Sequence, residues 1–178
     1  MLNEKQYDRI AAVMYARKWA LSRNPLFEDY AGIGGDCTSF ASQCLLAGSC
    51  AMNFTPTFGW YYISPTRRTP SWSGVEFFYD FLTANRSIGP YARELSLSQG
   101  ELGDIIQLQK ENDWYHTLVI TRIEDGEIFV SAHTNDALDR PLSEYQYDNS
   151  RLLHIAGVRY AVDADCFAPL FNGTELRL

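Results

Sequence analysis

The sequence predicts an α+β domain, and three observations predict it. Apolar side chains recur at three- and four-residue spacing through the first half of the chain, they alternate in runs from about residue 104 onward, and Asp125-Gly126, a strong two-residue hairpin signal, sits between two of those runs. Helices first and an antiparallel sheet second is the α+β order. With 178 residues and 46% hydrophobic side chains, residues 1–178 form one domain, large enough to bury a core without metals or disulfides.

Residues Asn3 to about Leu21 carry Tyr7, Ile10, Ala11, Met14, Tyr15 and Trp19 along one stripe, with Asn3 and Gln6 as a capping pair, which predicts an amphipathic helix. Ser22-Arg23-Asn24-Pro25 breaks it, and an aromatic-acidic loop from Phe27 to Tyr30 leads to a glycine turn. A second helix is expected from Cys37 to Ala47, with Asp36 as N-cap, Phe40, Ala41, Cys44 and Leu45 inward, and Gly48 as the stop. Ala51 to Pro70 has aromatic residues but no period and reads as an irregular loop. Ser73-Gly74-Val75-Glu76 reads as a capping box opening a helix that runs to about Thr83. Strands follow at 104–109, 116–123, 127–133 and 154–160.

Composition narrows the function. A formal charge of -7, with basic residues scattered, argues against nucleic acid and against an anionic membrane surface as partners. The opening residues Met1 to Gln6 contain no apolar segment and no run reaches membrane-spanning length, so the chain as written is expected in the cytosol, and outside the cell if a leader has been trimmed. The four cysteines show no zinc-type spacing, and no metal or cofactor is expected.

The chemistry centres on Gly34-Gly35-Asp36-Cys37. A thiol at the first helical position sits among unpaired N–H groups and the positive end of the helix dipole, which favour the thiolate. The glycines let backbone approach a substrate and leave amides for an oxyanion. Cys37 is therefore read as a nucleophile, against the plainer reading of a small buried residue, which suits Cys44. Tyr30 is placed to hang its hydroxyl over the thiol, and Trp60 and Tyr61 to wall a cleft, the plainer reading being that these rings pack or cover the core.

A base has to come from elsewhere. With Glu124 opposite Glu127, the hairpin register sets Leu118 opposite His133 and His116 opposite Asn135 on one face. That arrangement gives His116 as base with Asn135 as orienting group, and a bulge brings His133 alongside. His154 lacks such a companion and reads as structural.

Two stretches then carry a resemblance. Leu102-Gly103-Asp104-Ile105-Ile106-Gln107-Leu108, followed by His116-Thr117-Leu118-Val119-Ile120, resembles the Gly-Asp and histidine strands of the NlpC-type and CHAP-type papain-like amidopeptidases. The block Gly35 to Leu45, with Gly59-Trp60-Tyr61-Tyr62, Ser71-Trp72-Ser73-Gly74-Val75, Ser131-Ala132-His133-Thr134-Asn135-Asp136 and Pro141-Leu142-Ser143, resembles more closely an amidase-like family of that superfamily found in Gram-positive bacteria. The resemblance implies a papain-like fold with the nucleophile helix packed on the sheet. It implies Cys37 as nucleophile, His116 as base and then acid, and His133 as the third residue, with Asn135 or Asp36 in support. It also implies a peptide or cell-wall amide substrate, since relatives in the superfamily cut peptidoglycan stem peptides. The same layout serves acyl transfer to an amine or lipid, and a catalytically inactive cell-wall-binding module is the third reading.

Overall fold

The computed structural model describes residues 1–177. Helix α1 spans Arg9–Trp19 and starts at Asp8, whose carboxylate accepts from the Ala11 N–H at 2.9 Å. The start expected at Asn3 is corrected: Asn3–Lys5 is strand β1, paired antiparallel with Tyr160, Arg159 and Val158. Asp8 supplies the cap bond, and the first residues instead satisfy a strand edge. The buried stripe is Ala11, Ala12, Val13, Tyr15 and Ala16, while Ile10 and Met14 face outward.

Helix α2, Cys37–Ser49, is buried along its whole length. It runs past Gly48 and stops at Cys50, which adopts the left-handed conformation at φ 47°. Gly48 serves packing instead of stopping the helix, since a Cβ there would lie 2.3 Å from the Tyr7 ring. Between α2 and the next helices, the stretch expected to be irregular carries a small ribbon of β2 (Tyr62–Ser64) and β3 (Arg67–Arg68). Short α3 (Pro70–Ser73) and α4 (Val75–Ala84) follow, and the expected Ser73 capping box is absent because Gly74 holds the N-cap position of α4 with no side-chain cap.

The main sheet is antiparallel and contains β4 (Gly89–Leu95), β5 (Ile105–Lys110), β6 (Asp113–Glu124), β7 (Glu127–Ala132), β8 (Ala137–Pro141) and β9 (Asn149–Tyr160) in addition to β1. Along it the order is β1-β9-β5-β6-β7-β8, with β4 also paired to the long β9. Asp125 and Gly126 both take positive φ, 50° and 80°, and close the β6–β7 hairpin as the dipeptide requires. The fold is α+β, as expected. Strands β1, β4 and β8 were not foreseen.

Each face of the sheet carries its own core. Helices α1, α2 and α4 cover one face, where Phe40, Leu45, Trp60, Trp72, Val119 and Leu153 pack. Ile106, Leu108, Leu118, Ile120, Val130 and Leu142 form a second core on the other. Helix α5, Phe167–Asn172, returns to α2, and a Cys50–Cys166 disulfide fastens the end of α2 to its start. A chain large enough to bury a core without disulfides thus carries one nonetheless. Among the described residues no helix is long and apolar enough to cross a membrane.

Candidate functional site

The turn before α2 is built as glycine dictates. Gly34 and Gly35 take φ of 95° and 110°, a region that side-chain-bearing residues rarely adopt. The Gly35 N–H donates to the Tyr30 carbonyl at 3.0 Å and the Asp36 N–H to Thr134 Oγ1 at 2.8 Å. Of the amides expected near Gly35 to Cys37 to hold an oxyanion, those of Gly35 and Asp36 are therefore already engaged. The Cys37 N–H, at the first helical position, has no such partner among the described residues.

Cys37 is a free thiol, 6% exposed, and its sulfur lies 3.9 Å from Thr38 Oγ1. Burial pushes the thiol above its ordinary pKa, and the negative charge of Asp36 adds to this. The Thr117 and Thr38 backbone N–H groups and the Thr38 hydroxyl pull the other way. The lowered value expected from the helix terminus is thus corrected, because the cost of burying a thiolate exceeds what these donors return.

The Thr117 contact bears on His116, the next residue back along β6. Strand alternation turns the Thr117 hydroxyl toward α2, where it meets Thr38 Oγ1 at 2.8 Å, and turns Leu118 into the opposite core. The His116 ring, of the same parity as Leu118, lies near the Tyr115 and Tyr145 rings at 5.8 and 6.0 Å. Sulfur and imidazole thus belong to the two sides of the single peptide that joins residues 116 and 117. Burial, together with the nearby Arg140 charge, pushes His116 down to about 4, so its ring is neutral at ordinary pH.

The expected hairpin register holds only near the turn. Glu124, Ile123 and Arg122 face Glu127, Ile128 and Phe129, but a bulge between Ile120 and Arg122 then shifts the pairing so that Val119 faces Ser131. One inserted residue reverses the facing of everything beyond it. His133 therefore shares the α2 side with Ser131, and the expected pairing of His116 with Asn135 is corrected. Asn135 is exposed in the turn after β7, at φ 61°.

His133 is 1% exposed and stacks on Phe40 at 4.0 Å. Its Nδ1 lies 2.5 Å from Asp36 Oδ2 and its Nε2 lies 2.8 Å from the Trp19 carbonyl oxygen. Both nitrogens face acceptors, so the ring makes both bonds only with an N–H on each. Neither bond reaches His116 or Cys37, so the bridge expected between His133 and His116 is absent. Asp36, expected as a side-chain N-cap, makes no cap bond. Its Oδ1 instead accepts from the Tyr30 N–H at 2.9 Å. Composition held no signal for the Trp19 carbonyl, Phe40 or Thr134 contacts.

Of the expected cleft residues, Trp60 is corrected to the core. It is fully buried against Trp72 and Phe81 and donates its indole N–H to Ser42 Oγ at 3.0 Å. Tyr61 is half-buried and packs on Phe54. Tyr30 is buried, and its hydroxyl accepts from Arg68 Nε at 2.7 Å, with no hydrogen bond to the thiol among the described residues. Among the described residues no group of three His, Cys, Asp or Glu side chains is placed to hold a metal. His154, read as structural, bonds through Nδ1 to the buried Asp104 at 2.9 Å.

Comparison with known proteins returns related sequences without a described activity. Uncharacterized protein YhbB of Bacillus subtilis (strain 168) is 29% identical over 160 residues, which cover 88% of this chain and 49% of the relative. Uncharacterized protein YjcM of the same strain is 27% identical over 146 residues, 77% of this chain and 33% of that protein. The chain thus spans about half of the one and a third of the other. No solved structure matches the chain. Residues 6–156, which include Cys37, His116 and His133, match the family described as "Putative amidase domain", and the chain belongs to that family.

Proposed function

We propose that the domain is a papain-like cysteine amidohydrolase of the NlpC and CHAP kind, with Cys37 as nucleophile and His116 as base. The observation that carries this reading is the shared 116–117 peptide. Its N–H favours the Cys37 thiolate, and the residue before it is a histidine kept neutral by burial, the form a base requires, whose ring has to turn from the Tyr145 side of β6 to reach the sulfur. Family membership supports an amide as the bond acted upon.

In this reading His116 takes the thiol proton and the sulfur attacks the amide carbonyl carbon. The resulting oxyanion is held by the free Cys37 N–H, and the intermediate collapses as His116 returns the proton to the leaving amine. Water, deprotonated by His116, then releases the acyl group from sulfur. The Asp36–His133 pair anchors the loop that carries the sulfur instead of orienting His116. The substrate proposed is a peptide or cell-wall amide, in keeping with the resemblance to enzymes that cut stem peptides. The Cys50–Cys166 disulfide favours an oxidising compartment over the cytosol first expected, and such a compartment suits a wall substrate.

The test is mass-spectrometric product analysis of purified peptidoglycan fragments incubated with the wild type and with Cys37→Ala, each with and without an added amine. Free acid products from the wild type alone support hydrolysis. Amine adducts point to acyl transfer, and equal cleavage by both proteins overturns the assignment of Cys37.

A further inference from the structure

One buried polar row crosses the sheet beneath α2. Gln107 on β5 pairs with Thr117 on β6 and with Arg151 on β9, so the three side chains stand side by side on the helix-covered face. Thr38, one residue beyond the sulfur, meets this row from above. Thr38, Thr117 and Gln107 are fully buried, and Arg151 is 9% exposed. The contacts are continuous. Arg151 Nε lies 2.8 Å from Gln107 Oε1, Gln107 Nε2 lies 3.3 Å from Thr117 Oγ1, Thr117 Oγ1 lies 2.8 Å from Thr38 Oγ1, and Thr38 Oγ1 lies 3.9 Å from Cys37 Sγ.

The chemistry of the partners fixes which way every proton points. Arg151 has donors only, so Gln107 must turn its carbonyl oxygen to it. The Gln107 amide nitrogen then faces Thr117 and also donates to the Val75 carbonyl at 2.9 Å, which rules out the flipped amide. Thr117 accepts from Gln107, and its own proton has one acceptor left among its recorded partners, Thr38. The Thr38 proton is left for the sulfur.

We propose that Arg151, Gln107, Thr117 and Thr38 form a one-way chain of donors ending on Cys37, which makes them positioning residues that hold the sulfur as a hydrogen-bond acceptor. The inference rests on the reading of Cys37 as nucleophile. No proton travels along the chain. Each hydroxyl and amide keeps its own, and the thiol proton leaves to His116 or to solvent. The source of polarity is a guanidinium clamped in place, with its centre 3.6 Å from the Tyr79 ring and 3.9 Å from the Trp114 ring, and Nη2 2.6 Å from Glu76 Oε1. Aligned donors polarise one another in a low-dielectric interior, so a cation two strands away acts on the thiolate. This counters part of the burial penalty that the sulfur carries.

The Cβ chemical shift of isotope-labelled Cys37, followed against pH, reads the protonation of that sulfur directly and needs no substrate. In Thr117→Val the midpoint is expected about one pH unit higher than in the wild type, while Thr117→Ser restores it. Arg151→Met, at the far end of the chain, is expected to raise it in the same direction, and Arg151→Lys to raise it less. Should Thr117→Val fail to fold, the Arg151 variants carry the test. A folded Thr117→Val or Arg151→Met protein with the wild-type midpoint overturns the proposal. Shifted midpoints in a protein that cleaves no amide would keep the donor chain and remove the amidase reading, so the two fail separately.

Discussion

His133 Nδ1 lies 2.5 Å from the Oδ2 of Asp36, the residue immediately before the candidate nucleophile, and both side chains are 1% exposed. The pair ties the end of β7 to the first turn of α2. A second tie runs parallel to it, from the Asp36 N–H to Thr134 Oγ1. Arg23 closes the outside of the same junction through paired contacts to Asp136 at 2.9 and 3.0 Å. The turn that carries the sulfur is therefore anchored by side chains that do not touch it.

Breaking the Asp36–His133 pair deprives its buried survivor of its charged partner at the shared contact, so Asp36→Asn and His133→Gln are each expected to cost about 3–5 kcal/mol. The double variant should cost clearly less than the sum of the two. Urea unfolding of the four proteins at neutral pH measures the coupling. Additive losses would mean that the two side chains act independently.

His116 predicts a pH dependence of stability. Its folded pKa is lowered to about 4 from 6.5, so between those values the unfolded chain binds a proton that the folded chain refuses. Stability from this group is complete above pH 6.5, falls as the pH drops through the window, and is about 3 kcal/mol lower by pH 4. The difference in unfolding free energy between the wild type and His116→Phe, measured from pH 7 to 4, is expected to shift in the variant's favour by that amount. A flat difference contradicts the burial assigned to the ring.

The Cys50–Cys166 disulfide closes a loop with a sequence separation of 116 residues. Cross-linking a loop of that length restricts the unfolded chain, and its loss is expected to cost about 2–5 kcal/mol. A Cys50→Ala/Cys166→Ala protein should therefore melt well below the wild type, and a reductant should lower the wild-type midpoint while leaving the variant's unchanged. An unaltered wild-type midpoint under reductant would show the thiols to be unlinked.

The elements that could be read from residues alone were those whose cause is local. The glycine turn before Cys37 announces α2, although Asp36 at its N-cap position makes no cap bond, and Asp125-Gly126 announces the β6–β7 turn. What lay out of reach depended on distant partners. The bulge at Thr121 is stabilised by its hydroxyl bonding Ser131 Oγ and Asp139 Oδ1, and by its carbonyl accepting from Arg17. Nothing in the alternation of β6 marks it, yet it moves His133 to the other face. Strand β1 exists because β9, more than 150 residues later, offers an edge to Asn3–Lys5. Aromatic residues among prolines look alike in a cleft and over a core, and only the stack of Trp60 between Trp72 and Phe81 distinguishes the two.

The central claim is that Cys37 is the reactive sulfur and that His116 activates it. Peptide-mapped alkylation of the folded protein by iodoacetamide at neutral pH tests it most directly, because Cys44 is fully buried and Cys50 and Cys166 are joined. The account predicts a single adduct, on Cys37, whose rate of formation falls roughly tenfold or more in His116→Gln. Labelling of Cys44 as fast as Cys37, or a rate indifferent to the loss of His116, would contradict it.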